Sequence, residues 1–307
     1  MRSFGYYRAN PLHLLGAIIQ RISFLFPEKL YLEILFYFET GYKLNLKDPK
    51  TFNEKLQWLK LYNRNSIYTQ MVDKYEVKNY VSKIIGDEFI IPTLGVWDNA
   101  DDIDIDTLPN QFVLKTTHSG GGGGIAICKD KSNFDFATVS RLLNQNLKKS
   151  ISAKLKEWPY EGVKRRIIAE KYIVDDSASG SSELKDYKFF CFNGRVEVLK
   201  IDFSRFVDHH ANYYDRDMNL LDFGEICCPP DFKHHIEKPK NFEKMINIAE
   251  QLSKGLPFAR IDLYNSDGQI FFGEITFFPA SGLGNFTSFE WDLKLGNLID
   301  LKTISKK

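Results

Sequence analysis

Hydrophobic positions follow a helical spacing in the first third of the chain and a strand-like spacing afterwards. Residues 51–54 read Thr-Phe-Asn-Glu, a capping box in which the first and fourth side chains can satisfy each other's backbone donors. This box predicts a helix through Leu61, and the apolar spacing over 70–85 predicts a second helix. Two more helices are predicted at 134–149 and 241–254.

The N-terminal forty residues are the most hydrophobic part of the chain. Their pattern predicts two amphipathic helices, at about 11–25 and 28–39, separated at Pro27. The apolar run over 12–19 is far shorter than the roughly 20 residues that span a bilayer, and no small-residue cleavage site of a signal peptide follows it. Such helices can dock on the main domain, on a partner subunit or on a membrane face, and the sequence does not choose among these.

From about residue 90, short apolar runs alternate with turns. Three antiparallel strand pairs are predicted: 112–117 with 125–128 around a glycine run, 187–192 with 195–201 around Asn193-Gly194, and 258–264 with 269–276 around a turn at Asp267-Gly268. A helical N-terminal region (1–90) followed by a strand-rich domain (91–307) indicates an α+β fold with mostly antiparallel sheets, not a doubly wound parallel one.

Composition narrows the functional classes. The 307 residues are 26% charged and 43% hydrophobic, which is ordinary for a globular protein with room for two or three subdomains. Lysine and arginine total 41 against 40 aspartate and glutamate, a net charge of +1. Nucleic-acid binders usually carry a basic surplus, so nucleic acid is not the expected partner.

The cysteines indicate a reduced, cytoplasmic chain. They stand at Cys128, Cys191, Cys227 and Cys228, a spacing that fits no disulfide framework. The adjacent pair lies between His209-His210 and His234-His235, which invites a zinc site. Neighbouring side chains usually point apart, whereas structural zinc ligands are spaced by two to four residues, so zinc is the less favoured interpretation.

A glycine-rich loop is the first candidate for chemistry. Lys115, on a predicted strand, is followed by Gly120, Gly121, Gly122, Gly123 and Gly124. A loop without side chains lets backbone N–H groups close on phosphate oxygens, and a lysine beside it adds a positive charge. The alternative is a flexible hairpin tip. The Walker and Rossmann sequences are both missing, so a nucleotide site here must be of another kind.

Charged residues on two apolar strands are the second candidate. Period-2 alternation places Arg260 with Asp262 on one strand face, and Glu274 with Thr276 on another. A three-residue turn over 266–268 would put both carboxylates on the same side of the sheet, where they would suit Mg²⁺ together with phosphates. The alternative is a pair of solvated charges. A third, weaker candidate is the strand 167–173, whose end could present backbone groups to an adenine.

Together and in this order, these segments resemble the ATP-grasp superfamily, with D-alanine–D-alanine ligase as a familiar member. They resemble more closely the TupA-like ATP-grasp family of bacterial surface-polysaccharide and teichuronopeptide clusters, through residues 48–60, Val72-Asp73-Lys74-Tyr75 and Asp186-Tyr187-Lys188. The resemblance covers about residues 40–300. It implies an ATP-grasp fold with a helical N-terminal extension, in which subdomains of about 91–165 and 166–307 grip ATP.

The resemblance also implies roles for single residues. Lys115 and the five glycines hold the phosphates, Glu170, Lys171, Tyr172 and Ile173 form the adenine hinge, and Asp175 or Asp176 takes the ribose. Asp262 and Glu274 bind Mg²⁺, and Arg260 stabilises the transferring phosphoryl group. Thr276 stands where the family usually has a metal-binding asparagine, which leaves the coordination of a second metal open.

The implied activity is ATP-dependent amide formation, in which a carboxylate takes the γ-phosphate and an amine then displaces phosphate. The carboxylate would belong to a uronic acid of a surface polysaccharide, the amine to an amino acid or amino sugar, and the enzyme would work in the cytoplasm or at the inner face of the membrane. Lys188, Arg205 and His118 are expected near the acceptor. Two alternatives remain, a glycosyltransferase using the Asp-x-Asp patterns within 102–106, and a non-catalytic ATP-binding scaffold.

Overall fold

A computed structural model describes residues 11–120, 123–174, 184–204 and 208–304. The described strands are β1 (Thr93–Trp97), β2 (Phe112–Thr116), β3 (Ile125–Cys128), β4 (Ile167–Lys171), β5 (Asp186–Phe192), β6 (Arg195–Phe203), β7 (His210–Asp215), β8 (Phe258–Ser266) and β9 (Gln269–Thr276). They form a four-stranded sheet in the order β1-β4-β2-β3 and a five-stranded sheet in the order β7-β6-β5-β8-β9. Every described strand pair is antiparallel, and the predicted α+β class is confirmed.

The helices of the described residues are α1 (Pro11–Arg21), α2 (Glu28–Thr40), α3 (Phe52–Tyr62), α4 (Ile67–Val72), α5 (Glu76–Ile85), α6 (Phe136–Leu147), α7 (Ile151–Leu155), α8 (Phe242–Ser253) and α9 (Phe289–Asn297). The capping box is confirmed, since Thr51 accepts from the backbone of Glu54 and the Glu54 carboxylate accepts from the backbone of Thr51. The two predicted N-terminal helices are present.

The helix predicted over 70–85 is two helices. The chain leaves α4 at Asp73, which has extended backbone angles, and α5 starts three residues later. The Asp73 carboxylate accepts from the backbone N–H groups of Tyr75 and Glu76, at 2.8 and 3.2 Å, and so begins α5. Apolar spacing continues through both helices, which is why the pattern alone joined them.

The five-stranded sheet has one apolar face and one charged face. The apolar face, with Phe189, Leu199 and Ile261, packs in the largest core cluster together with Met245 and Ala249 of α8. Strand alternation sends the intervening residues to the opposite face, and there the sheet carries buried lysines, aspartates and an arginine. Buried charges need partners, so this face is where chemistry is expected.

Helices α1 and α2 form an antiparallel pair at the N-terminus of the described chain, and the inner face of α2 buries Tyr31, Leu32 and Leu35. No described helix is both long and apolar enough to cross a membrane. The domain boundaries at 90 and 165 stay predictions; strand β4, just after the second of them, pairs with β1 and β2.

Candidate functional site

Asp262 and Glu274 lie directly opposite each other on β8 and β9. The predicted three-residue turn is wrong, because Ser266 pairs with Gln269 and only Asp267 and Gly268 connect the strands. Both connecting residues have positive φ, 47° and 94°, as a two-residue type I′ turn requires.

A β-bulge restores the register that an even turn would have lost. The pairing shifts between Asp262 and Leu263, which faces Phe272, so Gly273 has no partner of its own. A Cβ atom on Gly273 would stand 3.0 Å from the carbonyl oxygen of Asp262, closer than a side chain tolerates without a shift. Both carboxylates therefore lie on one face of the sheet, as predicted, but a bulge places them there and not a three-residue turn.

The guanidinium of Arg260 forms hydrogen bonds to both carboxylates and to the neighbouring Thr276. It donates to both oxygens of Asp262 at 2.7 Å, to Glu274 at 2.9 Å and to the Thr276 hydroxyl at 3.1 Å. Thr276 in turn donates to Glu274 at 3.2 Å. Side-chain exposure is 3% for Asp262 and 34% for Glu274, so one carboxylate is deep and the other reachable from solvent.

The electrostatics of the group leave room for more positive charge. Burial raises the pKa of Asp262 to about 7, with a contribution from Asp186, although Arg260 opposes the rise. Burial also acts on Glu274, but Lys74 and Arg260 outweigh it and hold the pKa of Glu274 well below its usual range. Two carboxylates and a hydroxyl on one face are hard oxygen ligands, so the donor set fits Mg²⁺.

A second group of charges lies on the four-stranded sheet, centred on Glu170. Its carboxylate pairs with Lys115 on β2 and with Lys78 on α5, the latter at 2.7 Å. Burial raises the pKa of Glu170, but the two ammonium groups outweigh it and lower the pKa below the ordinary value. The side chain of Glu170, which the sequence interpretation left unused, thus holds two lysines in place.

Both groups meet at one crevice. Its lining includes Lys74, Lys78, Lys115, Glu170 and the bulged Gly273. The ammonium of Lys74 donates to Glu274 at 2.9 Å, and its backbone N–H donates to Thr117 at 3.0 Å. Three ammonium groups converging beside two carboxylates and a guanidinium form a site suited to a polyanion with its cation.

Lys74 and Lys78 are site residues that the sequence interpretation missed. Lys74 belongs to the segment Val72-Asp73-Lys74-Tyr75 that carries the family resemblance, whereas Lys78 lies in the first turn of α5. The family segment was the available signal for Lys74, and nothing local distinguishes either lysine from a solvated one.

Lys188 lies next to the carboxylate pair, opposite Asp262 on the neighbouring strand β5. Its ammonium contacts Asp186 and, at 2.5 Å, Asp202 on β6. Burial opposes the charge, but the surrounding aspartates raise the pKa of Lys188, so this buried side chain stays protonated. Of the acceptor candidates that the structure describes, Lys188 lies beside Asp262 and His118 does not.

The remaining predicted residues are placed less closely. Gly120, Gly123 and Gly124 follow β2. Lys171 ends β4, and Tyr172 and Ile173 come directly after it; Lys171 is exposed, and its backbone N–H donates to the Pro92 carbonyl at 3.0 Å. Gly121, Gly122, Asp175, Asp176 and Arg205 lie outside the described residues.

His118 is not beside the other site residues. Its ring nitrogen Nε2 donates to the carbonyls of Asn146 and Lys149, both at 3.2 Å, near the end of α6. The Asp-x-Asp patterns within 102–106 have a local structural role, since the Asp104 side chain accepts from the backbone N–H of Asp106 and caps a short helical turn. This favours surface structure over a nucleotide-sugar metal motif.

A family model described as "TupA-like ATPgrasp" matches residues 54–300. The chain belongs to this family.

Solved structures similar to this TupA-like ATP-grasp protein include an ADP complex of PurK, an N5-carboxyaminoimidazole ribonucleotide synthetase, at 16% identity and a TM-score of 0.40. The match covers 73% of this chain and half (50%) of that one. A D-alanine–D-alanine ligase from Helicobacter pylori matches at 17% identity and a TM-score of 0.39, covering 81% of this chain and 69% of the other. The search of curated proteins returned no match.

Helix α3 of the TupA-like protein, most of which lies in the segment 48–60 that carries the family resemblance, forms hydrogen bonds to the loop that follows β9. Gln57 donates to the carbonyls of Ser281 and Gly282, both at 2.8 Å, and Lys60 donates to the Ser281 carbonyl at 2.9 Å. Ala280, Ser281 and Gly282 have φ of 47°, 58° and 63°, three left-handed residues in a row. The helix thereby fixes a strained loop close to Glu274 and Thr276.

The cysteine pair of the TupA-like protein has an internal cation. Cys227 and Cys228 do approach, with sulfurs 3.4 Å apart, and Glu225 lies beside both. The ammonium of Lys200 stands among them, 2.7 Å from Glu225 and 3.4 Å from the Cys228 sulfur. A lysine in the position that a metal would take supplies the positive charge that these groups need.

Proposed function

We propose that this protein is an ATP-dependent ligase that joins a carboxylate to an amine and releases ADP and phosphate. The supporting observation is that the crevice lined by Lys74, Lys78 and Lys115 adjoins the Arg260, Asp262 and Glu274 group, since Lys74 also pairs with Glu274. Phosphoryl transfer depends mainly on positioning and on neutralising phosphate charge, and these side chains are suited to both.

The lysines of the crevice would bind phosphate oxygens, and Asp262, Glu274 and Thr276 would hold Mg²⁺. The cation would neutralise phosphate charge and orient the γ-phosphate. Arg260 contacts all three of those side chains and would hold them in position for the cation. Its guanidinium would also stabilise the phosphoryl group in transfer.

The proposed reaction has two steps. A carboxylate oxygen of the acceptor bonds to the γ-phosphorus as the bond from that phosphorus to ADP breaks, which gives an acyl phosphate. The amine nitrogen then bonds to the acyl carbon, phosphate leaves with the electrons of the carbon–oxygen bond, and the nitrogen loses a proton. The proposed acceptor is a uronic acid of a bacterial surface polysaccharide, and the amine an amino acid or amino sugar; the family resemblance supports this choice. Lys188, which stays charged and lies beside Asp262, would bind that carboxylate.

The proposal is tested by phosphate release from ATP in the presence of candidate uronic acids and amines. Glu274→Gln should abolish turnover with only a small effect on ADP binding, because the nucleotide keeps its lysines. Glu290→Gln is the matched control, since that carboxylate is exposed in a surface pair with Lys294. With the amine omitted, hydroxylamine should trap the acyl phosphate as a hydroxamate. Formation of AMP, or sugar transfer that needs no ATP, would overturn the ligase proposal.

A further inference from the structure

The outer surface of the N-terminal helix pair is strongly apolar and exposed. Seven large hydrophobic side chains between residues 12 and 30 face solvent: Leu12, Leu14, Leu15, Ile18, Phe24, Leu25 and Leu30. Phe24 is 78% exposed and Leu25 63%, both in the short turn between α1 and α2. Single exposed hydrophobic residues are ordinary, but seven within one helix pair and its turn indicate a surface that binds something.

The pair is firmly attached to the rest of the molecule, so the exposed face is not a consequence of a loose segment. Ser23 donates to the carbonyl of Ala153 at 3.0 Å, Tyr31 donates to that of Lys154 at 2.5 Å, and Asn285 donates to the carbonyl of Glu39 at 2.9 Å. The inner face of the pair is therefore used by the protein itself, and the outer face is left for another occupant.

The exposed charges around this face are mostly positive. Residues 11–27 contain no aspartate or glutamate, and Arg21, Lys29 and Lys154 are exposed. Of the acidic residues on α2, Glu28 pairs with Arg64 at 2.6 Å, Glu39 is buried and Glu33 is half-buried. A second copy docking through this face about a two-fold axis would bring like charges together, whereas anionic lipid headgroups complement them.

We propose that helices α1 and α2 dock the protein on an anionic lipid surface, with Phe24 and Leu25 entering the boundary between headgroups and acyl chains. An amphipathic helix with an apolar face and a cationic edge binds in this plane without spanning the bilayer. Both helices precede the family match over 54–300, so the docking surface is an addition to the nucleotide-binding unit. The proposal does not depend on the ligase reaction.

Co-sedimentation with vesicles tests the inference. The full chain should bind vesicles of phosphatidylglycerol mixed with phosphatidylcholine, and bind phosphatidylcholine alone much more weakly. The double variant Ile18→Asp/Phe24→Asp should lose at least about tenfold in binding, and Arg21→Gln about fivefold. Phe232→Asp is the matched control, because that side chain is 51% exposed elsewhere on the surface.

Sedimentation velocity without lipid separates the alternative. A dimer that Ile18→Asp/Phe24→Asp dissolves would overturn the lipid proposal in favour of a second copy. Equal vesicle binding by wild type and the double variant, or no binding by wild type, would also overturn it. Unfolding temperatures of the variants should match wild type, since both replaced side chains already face solvent.

Discussion

Asp262 and Glu274 face each other across two neighbouring strands because Gly273 is bulged out of the ladder between them. Without this extra residue, the two-residue turn at Asp267-Gly268 would send one carboxylate to the apolar face of the sheet. The pairing of the proposed metal ligands thus rests on one residue without a side chain.

Gly273→Ala should impair the site more than the fold. The added Cβ would meet the Asp262 carbonyl at 3.0 Å and the Tyr264 ring at 3.2 Å, so the bulge must move. Because a misplacement of about 1 Å can cost on the order of 100-fold in rate, we expect ATP-dependent phosphate release to fall at least about tenfold. Calorimetric titration with Mg-ATP should show weaker binding, and circular dichroism an unchanged fold. Wild-type rates in Gly273→Ala would mean that the bulge does not align the carboxylates.

Lys78→Ala and Lys115→Ala should each weaken ATP binding. Both ammonium groups bind Glu170 and line the crevice, and a charged hydrogen bond contributes about 1.5–3 kcal/mol, so each loss should lower affinity by roughly 10- to 100-fold. Lys83→Ala, an exposed lysine on the same helix, is the matched control and should bind ATP as wild type does. Unchanged ATP affinity in either crevice variant would remove that lysine from the nucleotide site.

Glu225 should make the stability of the fold sensitive to acid. Burial raises the pKa of Glu225, but Lys200 and the hydrogen bonds around it outweigh this and bring the pKa to about 2. A folded pKa below the unfolded one stabilises the fold above the ordinary carboxyl range, and this contribution is lost as the pH falls through about 4.5 toward 2. At about 1.4 kcal/mol per unit, the contribution is on the order of 3 kcal/mol.

Urea unfolding at pH 7 and at pH 3 checks this expectation. Glu225→Gln should be less stable than wild type at pH 7, because it leaves Lys200 buried without its carboxylate, and should lose less stability on acidification. Glu290→Gln should follow wild type at both pH values, since its carboxylate is exposed. Parallel acid dependence of wild type and Glu225→Gln would contradict the assignment.

Gln57→Leu should loosen the strained loop after β9. The substitution leaves the carbonyls of Ser281 and Gly282 without their side-chain donor from Gln57, at a cost of about 1–3 kcal/mol in the free energy of unfolding. Gln251→Leu on the exposed side of α8 should change it by less than about 0.5 kcal/mol. Denaturant unfolding of both variants measures the difference, and equal stability would show that Gln57 does not support the loop.

Local physical chemistry in the sequence was sufficient for many of the elements and for the charged candidates on β8 and β9. The capping box, the Asn193-Gly194 hairpin and the alternation of Arg260 with Asp262 depend only on neighbours in the chain. Strand β1 and strand β7 were not predicted, because their alternation is weak and their partners lie far away in sequence.

The tertiary structure alone decided which charges meet. Lys74 and Glu274 are 200 residues apart, and Lys78 reaches Glu170 from a helix whose own pattern is that of a surface helix. The prediction that Asp262 and Glu274 share one face of the sheet is correct only because of a β-bulge, which the residues of the turn do not indicate. A sequence pattern shows the periodicity of a single helix or strand. A buried charge, in contrast, is stable only when another element brings an opposite charge to it.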